Sequence, residues 1–138
     1  MQNLDLKCKI LKHPSDLKLK GFGKSKEELF KNLMVGMQIA LRPKIKVKKA
    51  ETKIRIESED IIFLLFDFLN EVNYLNEVNH EIYQKIYFVK FSDTLIEAEL
   101  FGKKVSRFGL QIKGVTLHDL DVHQRKDGTW EATVLFDL

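Results

Sequence analysis

Between residues 25 and 43 the apolar positions fall at Leu29, Phe30, Leu33, Met34, Met37 and Leu41. That is the three- and four-residue spacing of a helix with one buried stripe. Ser25-Lys26-Glu27-Glu28 opens it as a capping box, in which the Ser25 hydroxyl accepts from the Glu28 amide and Glu28 reaches back to the Ser25 amide. Pro43 closes it, because the residue before a proline disfavours the α region. A second helix is predicted from about Glu59 to Asn76, begun by Ser58-Glu59-Asp60 with its acids at the positive end of the dipole. It is apolar on most sides early and interrupted later by Asp67, Asn70, Glu71 and Asn73, which marks it as the central, most buried helix.

The remaining segments carry strand patterns. Residues 16–22 alternate through Leu17, Leu19 and Phe22, and Lys44 to Glu57 carries β-branched residues at Val47, Ile54 and Ile56. Ile82 to Phe91, Leu95 to Phe101, Leu110 to Leu117, Leu120 to Arg125 and Thr129 to Asp137 have strand composition. Asp127-Gly128 predicts a two-residue type I′ hairpin loop with positive φ at both positions. In that register Arg125 faces Trp130, Leu120 faces Leu135 and His118 lies beside Asp137. The fold class is therefore α+β: two main helices packed on a mostly antiparallel sheet or pair of sheets, in one domain spanning residues 1–138.

Composition changes this picture little. Apolar residues make up 44 % of the chain, enough for a core without staples, and the single cysteine, Cys8, is expected as a small buried hydrophobe. No charged-then-apolar leader opens the chain and no apolar run approaches about 18 residues. A cytoplasmic protein without membrane partners is the expectation. The net charge of +3 forces no nucleic-acid partner. Locally, Arg42, Lys44, Lys46, Lys48, Lys49 and Lys53 face only Glu51, a pattern that serves either as an edge-guarding face or as a phosphate-tracking surface.

Candidate chemistry is spread along the chain. His13-Pro14-Ser15-Asp16 is a loop leading into a strand, with Ser15 or Asp16 able to close a turn. Asp137, in a strand that runs to Leu138, offers a side-chain carboxylate beside main-chain oxygen. Two carboxylates with such an oxygen suit Ca²⁺ or Mg²⁺, and His13 or His118 joining them would shift the preference towards Mn²⁺ or Zn²⁺. Glu71, one turn after Asp67, needs a partner or solvent. Lys113 and Val115 share one strand face, Thr116 and His118 the other. Asp119, Asp121 and His123 share a parity that fits a solvent-facing strand as well as a metal. No phosphate-cradling glycine loop, CxxC pair or nucleophile elbow is present.

Read in order, four segments resemble the archease family. His13-Pro14-Ser15-Asp16 stands where that family has His-Thr-Ala-Asp. Asp67 to Leu75 resembles its Leu-Asn-Glu helix, and Lys113 to His118 its Lys-Ala-x-Thr-x-His strand. Trp130 to Leu138 resembles its closing Trp-x-Ala-x-Val-x-Phe-Asp-Ile. Pro14, Ser15 and Lys18 depart from the pattern, and the stretch between Gly102 and Lys113 is shorter than usual.

The resemblance implies an accessory protein, not itself an enzyme. It would promote guanylylation and repeated turnover of the GTP-dependent RNA ligase of tRNA splicing and RNA repair, touching RNA only through that partner. It implies a calcium-type site, with Mg²⁺ or Mn²⁺ as alternatives, built from Asp16, Asp137 and the Leu138 main chain. His13, Glu71, Lys113, Thr116 and His118 would line the same surface. The residues alone leave two rivals open: a stand-alone metal-dependent hydrolase with Glu71 or His118 as base, and a basic RNA-binding module on the Lys44–Lys53 face.

Overall fold

The structure, a computed structural model, describes residues 2–4, 7–12 and 16–138. His13, and with it the head of the His-Pro-Ser-Asp motif, lies outside the described residues.

Two antiparallel sheets carry two helices between and beside them. The first contains β1 (Gln2–Leu4), β2 (Cys8–Lys12), β3 (Asp16–Gly23), β7 (Gly114–Val115), β8 (Asp121–Gln124) and β9 (Trp130–Asp137). Its order is β1-β2-β3-β9-β7, with β8 also paired to β9. The second is β4 (Pro43–Glu57), β6 (Leu95–Phe108) and β5 (Glu81–Phe91), in the order β4-β6-β5. β4 is an edge strand, where a lysine-rich face discourages further pairing. β1 and β2 have no counterpart in the sequence reading, and of the strand expected from Leu110 to Leu117 only Gly114–Val115 forms.

Helix α1 (Lys26–Ala40) begins at Ser25, whose hydroxyl accepts from the Glu28 amide at 3.1 Å. The return bond of the predicted box is displaced by one residue: the Glu28 carboxylate accepts from the Lys24 amide at 3.1 Å. Helix α2 (Ile61–Asn79) starts later than expected, with Asp60 as its cap. Ser58 is freed to donate to Asp67 at 2.6 Å. The more enclosed helix is α1, not α2. Nine of its 15 residues are buried against seven of 19, because α1 packs on β2, β3 and β9 of one sheet and β5 of the other.

The core fills the space between these layers. Phe30 meets Phe68 at 5.6 Å and Phe91 edge-on at 5.2 Å between ring centroids, tying α1, α2 and β5 together. A buried polar clasp joins the same three elements. Gln38 and Asn76 exchange side-chain hydrogen bonds at 3.0 and 2.6 Å. Asn76 also donates to the Glu81 carbonyl, and the Tyr83 amide donates to Gln38. With both amide groups satisfied, the clasp fixes the corner at which α2 turns through His80, in left-handed backbone, into β5.

Cys8 is buried as expected, 1 % exposed, and burial pushes its thiol up to about 11 from 9.0. The thiol stays neutral in both states below pH 9. Between pH 9 and about 11 only the unfolded chain ionises freely, so stability falls with rising pH there. Replacing Cys8 by Ala should flatten that part of the stability–pH curve measured by urea unfolding. Gly102, central in β6, lies under the bulge between Tyr83 and Lys85, and a Cβ there would stand 1.7 Å from the Ile82 carbonyl oxygen. Gly102→Ala should therefore cost about 1–3 kcal/mol, read from the urea midpoint.

Candidate cation site where the first and last strands meet

The register of β3 on β9 pairs Asp16 with Asp137, Lys18 with Leu135 and Lys20 with Thr133. Along β3 the alternation sends Leu17 and Leu19 into the core and leaves Asp16, Lys18 and Lys20 on the outer face. Across it β9 buries Val134 and Phe136 and turns Thr133, Leu135 and Asp137 outwards. Directly opposite residues in an antiparallel pair hold their Cβ atoms about 4.5–5.5 Å apart. The two carboxylates thus share one face at the end of the sheet, Asp16 half-buried and Asp137 exposed. Leu138 follows immediately, about two-fifths exposed.

On the other flank of β9 the neighbour of Asp137 is Gly114, not His118. Two local events cause this. The β8–β9 loop has three residues, not two: the Gly128 amide donates to the Arg125 carbonyl, and the Arg125 amide donates to Thr129 at 2.8 Å. Only Gly128 has positive φ, at 89°, the geometry of a type I turn closed by a glycine bulge. Asp127 accepts from the Thr129 amide, which holds its carboxyl below the usual range. The extra residue moves Trp130 from Arg125 to Gln124. A turn then separates β7 from β8, with Asp119 at φ 54° and the Leu120 amide donating to Leu117. His118 sits in that turn, largely exposed, with its ring 3.1 Å from Asp119.

His118 faces the β3–β9 ladder further along from the carboxylate pair. It lines a cavity of about 90 Å³ with Lys18 and Leu135, the outer-face residues one step along from Asp16 and Asp137. The Thr116 hydroxyl accepts from the His118 amide. Lys113 contributes its main chain, donating to the Asp137 carbonyl at 2.8 Å, while its side chain is exposed. Glu71 belongs to a separate open cleft on α2 with Asp67, Asn70 and Arg55, whose guanidinium already pairs with Glu57 and Glu97. Asp121 and His123 pair with each other at 3.0 Å on the exposed outer face.

A residue that the sequence pattern did not single out for this site is Asn70. Its side-chain oxygen accepts from the Val115 amide at 2.9 Å, on the edge of β7 facing away from β9. Asn70 therefore stands in for the next strand and braces the segment that flanks Asp137. The available signal was a polar residue on a largely apolar helix.

Among the described residues, no three side chains of His, Cys, Asp and Glu gather as a metal cluster. Asp16 and Asp137 offer hard carboxylate oxygens in register, and Leu138 offers main-chain oxygen beside them. That donor set fits a Ca²⁺- or Mg²⁺-type ion completed by water, and it is poor in the nitrogen and sulfur that Zn²⁺ favours.

Comparison with known proteins agrees with this architecture. The profile of the archease protein family matches residues 9–138. Protein archease of Pyrococcus abyssi is 26 % identical, over 91 % of this chain and 94 % of its own length. Protein archease of Methanosarcina barkeri is 29 % identical over 93 % of each. A crystal structure from Thermotoga maritima, described as an archease and possible chaperone, superposes with a TM-score of 0.68 at 21 % identity, covering 94 % of this chain and 96 % of that one. No helix among the described residues is long and apolar enough to cross a membrane.

Removing the Asn70 acceptor should strand the Val115 amide. Asn70→Ala is expected to cost about 1–3 kcal/mol and to speed hydrogen exchange at Val115 selectively, while Asn70→Asp, which keeps an acceptor, should restore protection.

Proposed function

Because the chain belongs to the archease protein family, we propose that it is an accessory protein of a GTP-dependent RNA ligase, acting through a cation held between Asp16 and Asp137. In this reading it promotes guanylylation and repeated turnover of the ligase in tRNA splicing and RNA repair, and is not itself the catalyst. The observation that carries the reading is the direct cross-strand pairing of the two carboxylates. Like charges directly opposite one another on a sheet are unfavourable, and a cation shared between them reverses the sign.

Asp16, Asp137 and main-chain oxygen of Leu138 would hold the ion, with Ca²⁺ the first choice and Mg²⁺ or Mn²⁺ alternatives. Once bound, it supplies positive charge with exchangeable positions open to oxygen ligands of the partner. The chain's own residues prepare that face. β3 and β9 fix the carboxylate spacing by their ladder, and Asn70 and the Lys113 amide hold the neighbouring segment in place. Lys18 follows Asp16 on the same face of β3, and with His118 it lines a small cavity further along the sheet, open to a docking partner. Thr116 orients the His118 turn and the exposed Lys113 side chain extends from the segment before β7, while Glu71 presents its carboxylate in the separate cleft on α2.

Calcium should raise the stability of the wild-type protein by about 2.7 kcal/mol at a hundredfold excess over Kd. Asp16→Asn and Asp137→Asn should abolish that gain and, in the same samples, the stimulation of ligase guanylylation. Full stimulation by either folded variant would refute the cation's role.

A further inference from the structure

β4 leaves its ladder with β6 between Ile45 and Lys49, so residues 46–48 arch away from the sheet. Val47 at the crest is 91 % exposed. Lys46 and Lys48 line a cavity of about 500 Å³, completed by Lys104, Ser106, Asn79 and His80. Lys104 is anchored to the buried Glu81 at 2.6 Å. Neither Lys46 nor Lys48 has an ion-pair partner among the described residues. Three lysines against one carboxylate leave the cavity strongly positive, the chemistry of a phosphate site.

His80 also stands in the wall of a second cavity, of about 340 Å³, lined by Phe108, Leu110, Ile112, Asn73 and Glu77. Here the donor–acceptor balance is reversed. Asn73 is 6 % exposed and donates to the Ile112 carbonyl, yet its buried side-chain oxygen has no hydrogen-bond partner among the described residues. Turning the amide over would leave its nitrogen orphaned and set oxygen against the Ile112 carbonyl, so a flip does not resolve it. A buried acceptor without a partner calls for a donor. With Phe108 and Leu110 for apolar contact and the Glu77 carboxylate as an acceptor on the wall, this cavity suits a flat group bearing N–H.

We propose that the two cavities meeting at His80 form one binding site for a nucleotide, its phosphate among Lys46, Lys48 and Lys104 and its base against Phe108 and Asn73. The ligand chemistry is the same whether the nucleotide is free or a unit of single-stranded RNA. The Gln38–Asn76–Glu81 clasp holds the shared corner rigid. This site uses none of the residues of the cation site and does not depend on that assignment.

The test is amide chemical-shift titration of the isolated full chain in chelator-containing buffer. The probes are inorganic phosphate, the four nucleoside 5′-monophosphates and a single-stranded RNA pentamer. Monophosphates should shift residues around both cavities, whereas phosphate should shift only residues 46–48, 79–80 and 104–106 and bind at least tenfold more weakly. K46Q/K48Q should weaken both by tenfold or more, and Leu110→Trp, which fills the second cavity, should erase only the advantage of nucleotide over phosphate. A native-like spectrum before titration confirms that each variant is folded. Tighter binding of the pentamer than of any monophosphate assigns the site to RNA, and the reverse assigns it to free nucleotide. Absence of shifts at millimolar nucleotide, equal affinity for phosphate and nucleotide, or indifference to K46Q/K48Q overturns the proposal.

Discussion

The antiparallel pairing of β3 with β9 is the constraint on which the candidate cation site depends. It is long, it runs from Asp16 opposite Asp137 to Gly23 opposite Trp130, and it joins segments more than a hundred residues apart in sequence. A ladder of this length resists slipping, because a one-residue shift would turn Leu17, Leu19, Val134 and Phe136 out of the core and carry charged neighbours in. The carboxylates are held in register by the apolar residues between them, not by any affinity for each other.

A second organising feature is the row of asparagines on α2. Asn70, Asn73 and Asn76 recur every three residues, along the side of the helix that meets the irregular chain. Asn70 accepts from Val115, Asn73 donates to Ile112, and Asn76 donates to Glu81 while clasping Gln38. Each amide replaces a backbone partner that a regular sheet would have supplied. This allows residues 109–115 to run across the helix with little strand of their own, because buried backbone groups must be paired by some means. One oxygen, on Asn73, is left over without a partner among the described residues, behind the wall of the neighbouring cavity.

The two proposed sites differ in how their charge is arranged. The β3–β9 site sets two carboxylates opposite each other at the end of a sheet, supported by a regular ladder. The cavities around His80 place positive charge on an irregular arch of β4 and an unpartnered acceptor below it. The arch also explains the alternating lysines of β4. They guard an edge strand along most of its length, and where the strand bulges two of them turn from guarding an edge to lining a cavity.

Periodicity and capping chemistry were enough to read both helices, β4, β5 and the first half of β6, and residue type the edge lysines and the burial of Cys8, because each depends on neighbours within a few residues; the continuation of β6 from Phe101 to Phe108 was not read. The four ordered motifs likewise carried the family, since side-chain type at a given spacing survives without coordinates. What the chain did not reveal locally was register. The hairpin at Lys126–Gly128 could close with two or three residues, and the extra residue, together with the turn between β7 and β8, moved His118 away from Asp137 and brought Gly114 there. The enclosure of α1 over α2 was equally hidden, since a helix packed between two sheets and one packed beside them bear similar stripes. The bulge at residues 46–48 and the unsatisfied oxygen of Asn73 exist only once distant strands and helices are in contact. Local free energies choose elements, but the pairing of remote segments is decided by how the whole apolar surface closes, and that closure alone put Asp16 opposite Asp137.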